Sequence, residues 1–261
     1  MLQSTQKRFL ALVTIIAALG GFLFGFDMAV VSGIIEPVKN QFSLSAASEG
    51  WFVSSALLGC IAGVAFSGSL SDAIGRKKVL FLAAILFLIS AIGFSFSENY
   101  SILISFRVLA GMAVGVASNI SPLYISEIAP ARNRGALVTF YQLAITIGIL
   151  VAYLSNYFIQ LSISQNSSSL LAGYFPGEAW RLMFFVSAIP ATLFLFLLLV
   201  VPESPRWLMK QGRESASLSV LSKIHDPEEA NKELLSIKKK ITASNNSGKI
   251  HLTKKNQWLR S

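Results

Sequence analysis

The sequence has few charged residues and a single cysteine. Asp, Glu, Lys and Arg together make up 13% of its 261 residues, whereas hydrophobic residues make up 53% and the mean hydropathy is +0.61. A soluble domain carries about a quarter charged residues, so this composition excludes an ordinary soluble protein and indicates a polytopic membrane protein. Because Cys60 stands alone, neither a disulfide within the chain nor a thiolate metal cluster is possible.

Acidic residues and histidines are also scarce. The chain has 13 Asp and Glu against 22 Lys and Arg, and its two histidines, His225 and His251, lie in the polar C-terminal segment. A basic excess is one mark of nucleic-acid binding, but here Lys and Arg lie in short segments between apolar runs. We therefore expect no nucleic-acid partner, and the sequence contains no motif for an enzyme, a metal or a cofactor.

Six apolar runs dominate the chain. About 20 apolar residues cross the hydrocarbon core of a bilayer, and basic residues mark cytoplasmic loops. The connections after the second, fourth and sixth runs are basic, so we expect six transmembrane helices with both termini cytoplasmic, in the plasma (inner) membrane. The runs fall near 9–35, 51–70, 79–97, 101–123, 136–159 and 182–201.

Two charged residues lie inside these runs, Asp27 in the first and Arg107 in the fourth. A carboxylate at such a position costs roughly 2.5–3.5 kcal/mol on insertion scales. At 1.5 Å of rise per residue, both residues lie about 10–12 Å below the outer surface, so we predict that they pair. Two alternatives stay open at this point: Asp27 is a tolerated interfacial charge, or Arg107 snorkels outward alone.

Small residues predict close packing of the spans. Three pairs of glycines are spaced four apart, which places each pair on one helix face where another backbone can approach. Any single pair is also compatible with the ordinary glycine content of membrane helices. The pairs are Gly21 and Gly25, Gly59 and Gly63, and Gly111 and Gly115.

The three basic connections carry charges of both signs. In the first, Asp72 is predicted at a helix start and Gly75 in a tight turn. In the third, Ser204 before Pro205 predicts a helix cap. These charges either form one ion-pair lattice at the cytoplasmic face or are solvated separately. The charged residues are Asp72, Arg76, Glu127, Arg134, Glu203 and Arg206.

The segment from Ser204 onward is polar and predicts short helices. Asp226-Pro227-Glu228-Glu229 is typical of a helix start, and Lys238-Lys-Lys240 of a helix end. A break is expected at 243–247. An apolar stripe of helical period is predicted from Leu234, Leu235, Ile237 and Ile241.

Together these segments resemble the sugar porter family of the major facilitator superfamily. The stretch Gly68–Lys78 is similar to the loop signature of that superfamily, although Ala73 stands where a basic residue is usual. Further motifs of the chain, in the same order, resemble the signatures that mark sugar porters: Arg107 with Gly111 and Gly115, Glu127 to Arg134-Gly135, Trp180-Arg181 and Pro202-Glu-Ser-Pro-Arg206.

The resemblance implies an all-α membrane protein: the N-terminal six-helix half of a major facilitator fold over 1–203, followed by a cytoplasmic linker with short helices over 204–261, with the C-terminal bundle absent. It implies proton coupling by Asp27 and Arg107, and sugar contact by Phe24 and Gln142. Ile149 stands where some relatives carry a second glutamine. It also implies that the charges of the cytoplasmic connections close the inner gate, as the matching residues of the family do. These charges are Asp72, Arg76, Glu127, Arg134, Glu203 and Arg206.

The function expected from this resemblance is proton-coupled symport of a monosaccharide. Its partners are the sugar, protons, the lipid bilayer and either a C-terminal half-transporter or a second copy of the chain. Two alternatives remain: a non-transporting sensor or assembly subunit, and a homodimeric half-transporter.

Overall fold

The computed structural model describes residues 4–165 and 178–258, and within these ranges all regular secondary structure is α-helical. Six stretches are long and apolar enough to cross a membrane, which confirms the number of spans predicted from the sequence. The spans are α1 (Ser4–Gln41), α2 (Ala46–Ile74), α3 (Arg76–Ser95), α4 (Tyr100–Ile128), α5 (Arg134–Gln165), and α6 (Ala179–Val186) together with α7 (Ala188–Val200).

Polar side chains cap the starts of two spans, α2 and α4, ahead of their apolar runs. Ser45 accepts the backbone N–H of Ser48 at the start of α2, and Asn99 accepts that of Ile102 at the start of α4. Each cap satisfies one of the amides that a helix start leaves unpaired. These two helices therefore begin in polar flanks before the apolar part of the sequence.

The turn between α2 and α3 consists of a single residue, Gly75, which has φ of 106° and ψ of 156°. Only glycine adopts this conformation without strain, so the predicted tight turn is confirmed. The predicted position of Asp72 at a helix start is wrong. Because α2 continues to Ile74, Asp72 lies in its last turn, and it accepts a hydrogen bond from the Arg76 side chain at 2.8 Å.

The glycine pairs lie where two helices touch. A Cβ atom added to Gly59 would lie 2.0 Å from the Val108 carbonyl oxygen, and one added to Gly111 would lie 2.0 Å from that of Ala56. Such distances require bare glycine, so the predicted close packing at these glycines is confirmed, and the structure shows that it joins α2 to α4. The same holds between α1 and α5, where a Cβ on Gly25 would lie 2.0 Å from the Ile145 carbonyl oxygen.

An aromatic cluster fills the core near the end of the bundle where α1 ends. Phe94 of α3 stacks on Phe184 of α6 with ring centroids 3.9 Å apart, and meets Trp180 edge-on at 5.8 Å. Phe52 of α2 lies 6.1 Å from Phe94. All four side chains are at most 1% exposed. We call Phe52, Phe94, Trp180 and Phe184 the aromatic cluster.

The chain forms two compact units, Leu12–Val201 and a second unit of Met1–Ala11 with Pro202–Ser261. The second unit contains α8 (Pro205–Lys210), α9 (Glu214–Ser222) and α10 (Pro227–Trp258). Ser204 caps α8 by accepting the Trp207 N–H, with Pro205 at the first helical position, as predicted. Within this unit Gln6 donates to Asp226 at 3.3 Å.

Two expectations for α10 are corrected. The helix begins at Pro227 as predicted, but it continues to Trp258 without the break expected after the lysines. No proline follows Pro227, and the weak helix formers of this segment cost no more than about 1 kcal/mol each, the largest cost being that of Gly248. Of the predicted stripe, Leu234 and Ile237 are buried, whereas Leu235 is 56% exposed and lies off the packed face.

Candidate functional site

The structure brings Asp27 of α1 and Arg107 of α4 together inside the membrane-spanning bundle. Nη1 of Arg107 donates to both carboxylate oxygens of Asp27, at 3.3 and 3.2 Å. Asp27 is 5% exposed and Arg107 is 2% exposed. Neither side chain therefore snorkels to an interface, and each supplies the charge that offsets the burial of the other.

The contact between the two charges is a loose one. A bidentate Arg–carboxylate pair uses two nitrogens at about 2.7–2.9 Å, whereas here one nitrogen serves both oxygens at longer distances. Nε of Arg107 is buried and finds no hydrogen-bond acceptor in the described part of the chain. The guanidinium carbon lies 5.8 Å from the centre of the Phe52 ring and 5.6 Å from that of Phe184.

The predicted sugar-contact residues lie on adjacent helices. Phe24 is half-buried on α1, one residue before Gly25, and Gln142 is exposed on α5. The two helices touch where Gly21 meets Tyr141 and Gly25 meets Ile145, so each predicted residue lies next in sequence to one of these contacts. The exposed amide of Gln142 can both donate and accept hydrogen bonds.

Three of the predicted gate residues form one cluster where α2 ends, α3 begins and α4 ends, with Asp72 on its exposed side. Arg76 donates from Nε and Nη2 to the two oxygens of Glu127, at 2.9 and 3.0 Å. Its Nη1 donates to Asp72 at 2.8 Å and to the Ser71 carbonyl at 3.0 Å. The Arg76 and Glu127 side chains are only 5% and 6% exposed. We call Asp72, Arg76 and Glu127 the inner cluster.

The other predicted gate residues have local contacts of their own. Arg134 donates from Nη2 to the Ala129 carbonyl at 3.5 Å, and its buried Nε has no acceptor in the described chain. In the second unit, Glu203 accepts the backbone N–H of Ser204 at 2.8 Å. Arg206 is half-buried in the first turn of α8.

A polar cluster at the opposite end of the bundle was not predicted. Arg181 donates from Nη1 to the Ser95 and Ser97 carbonyls, at 2.9 and 2.6 Å, and so caps the end of α3. Helix ends leave carbonyls unpaired and favour a cation. Glu178 accepts from both Arg181 and Gln41, and Gln41 accepts the indole N–H of Trp180 at 2.6 Å.

Among the described residues, no group of three or more His, Cys, Asp or Glu side chains is arranged to hold a metal ion. The chemistry available within the bundle is therefore that of the buried ion pairs and of isolated polar groups. Buried polar atoms without a partner in the described chain also include Ser121 Oγ, Tyr141 OH and Asn156 Oδ1.

The chain is similar to curated sugar symporters. It is 42% identical to the arabinose-proton symporter of Bacillus subtilis (strain 168), over 92% of this chain and 50% of that protein. It is also 42% identical to the D-xylose-proton symporter of Escherichia coli (strain K12), over 81% of this chain and 47% of that protein. The chain thus spans about half the length of the curated relatives it matches.

Solved structures give the same result. The chain matches the major facilitator proton:xylose symporter XylE bound to 6-bromo-6-deoxy-D-glucose with a TM-score of 0.85 at 37% identity, over 93% of this chain and 55% of that one. The partially occluded inward open conformation of the xylose transporter XylE from E. coli gives a TM-score of 0.82 at 37% identity, over 91% of this chain and 60% of that one.

The six-helix bundle thus has the architecture of half of a major facilitator transporter. The family model described as "Sugar (and other) transporter" matches residues 13–260, nearly the whole sequence. The chain belongs to this sugar transporter family and is a multi-pass membrane protein.

Proposed function

We propose that this chain forms one half of a proton-coupled symporter of a monosaccharide, with both termini in the cytoplasm. The observation that carries the proposal is the buried pair of Asp27 and Arg107. An ionisable residue within a membrane span is costly and marks an ion or proton pathway by default. A chain that only sensed a sugar would need no titratable charge at this depth.

The coupling step follows from the geometry of the pair. Protonation of Asp27 removes the negative charge that holds Arg107 across the junction of α1 and α4. Because a single nitrogen makes the contact, the guanidinium is released without breaking a forked hydrogen-bond pair. Helix α1 also carries Phe24, three residues before Asp27, so movement of α1 changes the sugar-contact surface at the same time.

The inner cluster differs from the Asp27–Arg107 pair because its arginine makes a forked contact, and such a contact suits a closed gate. Arg76 engages both oxygens of Glu127 with two nitrogens while it also holds Asp72 and a backbone carbonyl. Such a buried fork is costly to break on one side. We propose that the inner cluster holds the cytoplasmic end of this bundle together while Asp27 changes its charge and releases Arg107.

The sugar site needs a second wall. In transporters built from repeated bundles the substrate lies between two halves near the bilayer midplane. This chain offers Phe24 and Gln142 from one side, and good sites bury about 70–90% of a small ligand. We propose that another six-helix bundle supplies the other wall, as either a C-terminal half or a second copy of this chain.

The substrate class comes from the relatives. The relatives at 42% identity include an arabinose-proton symporter, a D-xylose-proton symporter and a glucose transport protein. We therefore propose an aldopentose or aldohexose as the substrate and use arabinose, xylose and glucose as the test panel.

The test is uptake by proteoliposomes under an imposed proton gradient, with this chain alone and with this chain co-expressed with a C-terminal bundle. We expect saturable uptake only in the second case. In the active preparation, Asp27→Asn abolishes uphill accumulation but leaves sugar exchange, because neutral Asn mimics the protonated acid.

The matched control is Asp226→Asn, which removes a carboxylate from the second compact unit and leaves accumulation unchanged. Gradient-driven accumulation by Asp27→Asn would refute the coupling role. Uptake by this chain alone would assign the second wall to a second copy. Absence of sugar uptake in every combination would favour the sensor alternative.

A further inference from the structure

The Arg107 guanidinium lies against two aromatic rings as well as against the Asp27 carboxylate. In the described part of the chain it donates two hydrogen bonds, both from Nη1 to Asp27, and its buried Nε has no acceptor. Two rings, those of Phe52 and Phe184, have their centres within 6 Å of the guanidinium carbon. A cation at this distance from an aromatic face is attracted by the ring quadrupole, most strongly where water is excluded.

The rings hold fixed positions. Phe52 and Phe184 come from α2 and α6, and both pack on Phe94 of α3, which also contacts Trp180. The polar cluster around Arg181 fixes Trp180 through its hydrogen bond to Gln41. A ring packed in this way cannot swing aside, so its face remains available to the cation whatever the charge of Asp27.

We propose that Phe52 and Phe184 form a cation seat that holds the Arg107 guanidinium when Asp27 is neutral. Its role in transport rests on the proposed proton coupling, but the seat itself is a property of this bundle. Both phenylalanines are positioning residues that act through Arg107.

The need for a seat follows from burial. A guanidinium cannot lose its proton in a protein, so neutralising Asp27 leaves a full charge in a site that is 2% exposed. An unpaired buried charge is strongly destabilising. The two rings supply an attraction that requires no counter-charge, which lets the acid change its charge without expelling the arginine from the bundle.

The test is a double-mutant cycle on the thermal unfolding of this purified chain in detergent, which requires no transport. The four proteins are the parent, Phe184→Leu, Asp27→Asn and the double variant. We expect Phe184→Leu to lower Tm by about 2 to 6 °C more in the Asp27→Asn background than in the parent, because the rings are then the remaining partners of the cation.

Two controls separate the seat from simple packing. Phe194→Leu truncates a fully buried ring of α7 that has no cation contact in the described chain, and its effect should be the same in both backgrounds. Replacement of Phe184 by phenylalanines with one, two and three fluorine atoms keeps the ring shape and weakens its quadrupole in steps. The loss of Tm in the Asp27→Asn background should then increase with the number of fluorines.

Equal effects of Phe184→Leu in the two backgrounds, together with no dependence on fluorine, would overturn the seat. That result would leave proton-coupled uptake intact. Conversely, a positive cycle with no sugar uptake in any preparation would support the seat while refuting the proposed function, so the two failures are distinguishable.

Discussion

Because α2 and α4 are in backbone contact, we predict that a single methyl group added at Gly59 destabilises the bundle. In Gly59→Ala the new Cβ would lie 2.0 Å from the Val108 carbonyl oxygen and 2.9 Å from the Met112 nitrogen. Both neighbours are backbone atoms, so no side chain can rotate away. The two helices must separate by about 1.4 Å at this point to reach ordinary van der Waals contact.

The same substitution elsewhere in α2 has the opposite sign. Gly68 lies in the same helix, and a Cβ added there meets nothing within 4 Å. Replacing an open helical glycine by alanine stabilises by about 0.8–1.0 kcal/mol, whereas overpacking costs typically 1–3 kcal/mol. The two variants should therefore differ by about 2–4 kcal/mol in free energy of unfolding, or about 4 to 16 °C in Tm.

The measurement is thermal unfolding of purified Gly59→Ala and Gly68→Ala in detergent. Gly111→Ala provides a reciprocal test, since its Cβ would lie 2.0 Å from the Ala56 carbonyl oxygen on the same interface. In the double variant of Gly59 and Gly111 the free energy of unfolding should fall by less than the sum of the two single decreases, because one substitution has already separated the helices. Equal stability of Gly59→Ala and Gly68→Ala would refute the backbone contact.

The inner cluster and the membrane orientation give two further predictions. Arg76→Lys should lower the unfolding free energy by roughly 2–4 kcal/mol in thermal unfolding, because an ammonium cannot form the fork with Glu127; an unchanged Tm would contradict it. In a Cys60→Ala background on intact cells, an impermeant thiol reagent should label Glu98→Cys but not Arg132→Cys, and the reverse pattern would invert the proposed topology.

The features that were predictable from the sequence are those set by period, length or depth. The spans follow from apolar length alone. The contact of Asp27 with Arg107 follows from two charges at equal depth on helices that run in opposite directions. The glycine spacing predicted helix faces that allow close packing, but not that α2 and α4 would be the two helices in contact.

What was missed depends on which helices pack together. Gln41 and Glu178 are 137 residues apart, and their contact exists only because α1 ends where α6 begins. The only local sequence signal for this polar cluster was Trp180-Arg181. It was interpreted as a family signature, whereas in the structure Arg181 caps the end of α3 at the Ser95 carbonyl. Leu235 fitted the helical stripe by spacing, but the face that packs in the second unit lies one residue away, at Leu234.

The glycine contacts bear on how the proposed coupling by a single ion pair would act on the bundle. Helices α2 and α4 are joined through backbone contact at Gly59, and α1 and α5 through backbone contact at Gly25. Packed interfaces of this kind are not continuously deformable, so we expect each helix pair to move as a unit.

Asp27 lies on one of these helix pairs and Arg107 on the other, so their contact crosses the junction between them. A small residue, Gly20, also lets α1 approach α4 at Ser121, on the cytoplasmic side of the ion pair in the proposed topology. Neutralising Asp27 therefore loosens the junction at one level while the steric contact at Gly20 persists. We therefore expect the α1–α5 pair to tilt about that contact. Distances between spin labels on α4 and α5 should then change at one end of the bundle only.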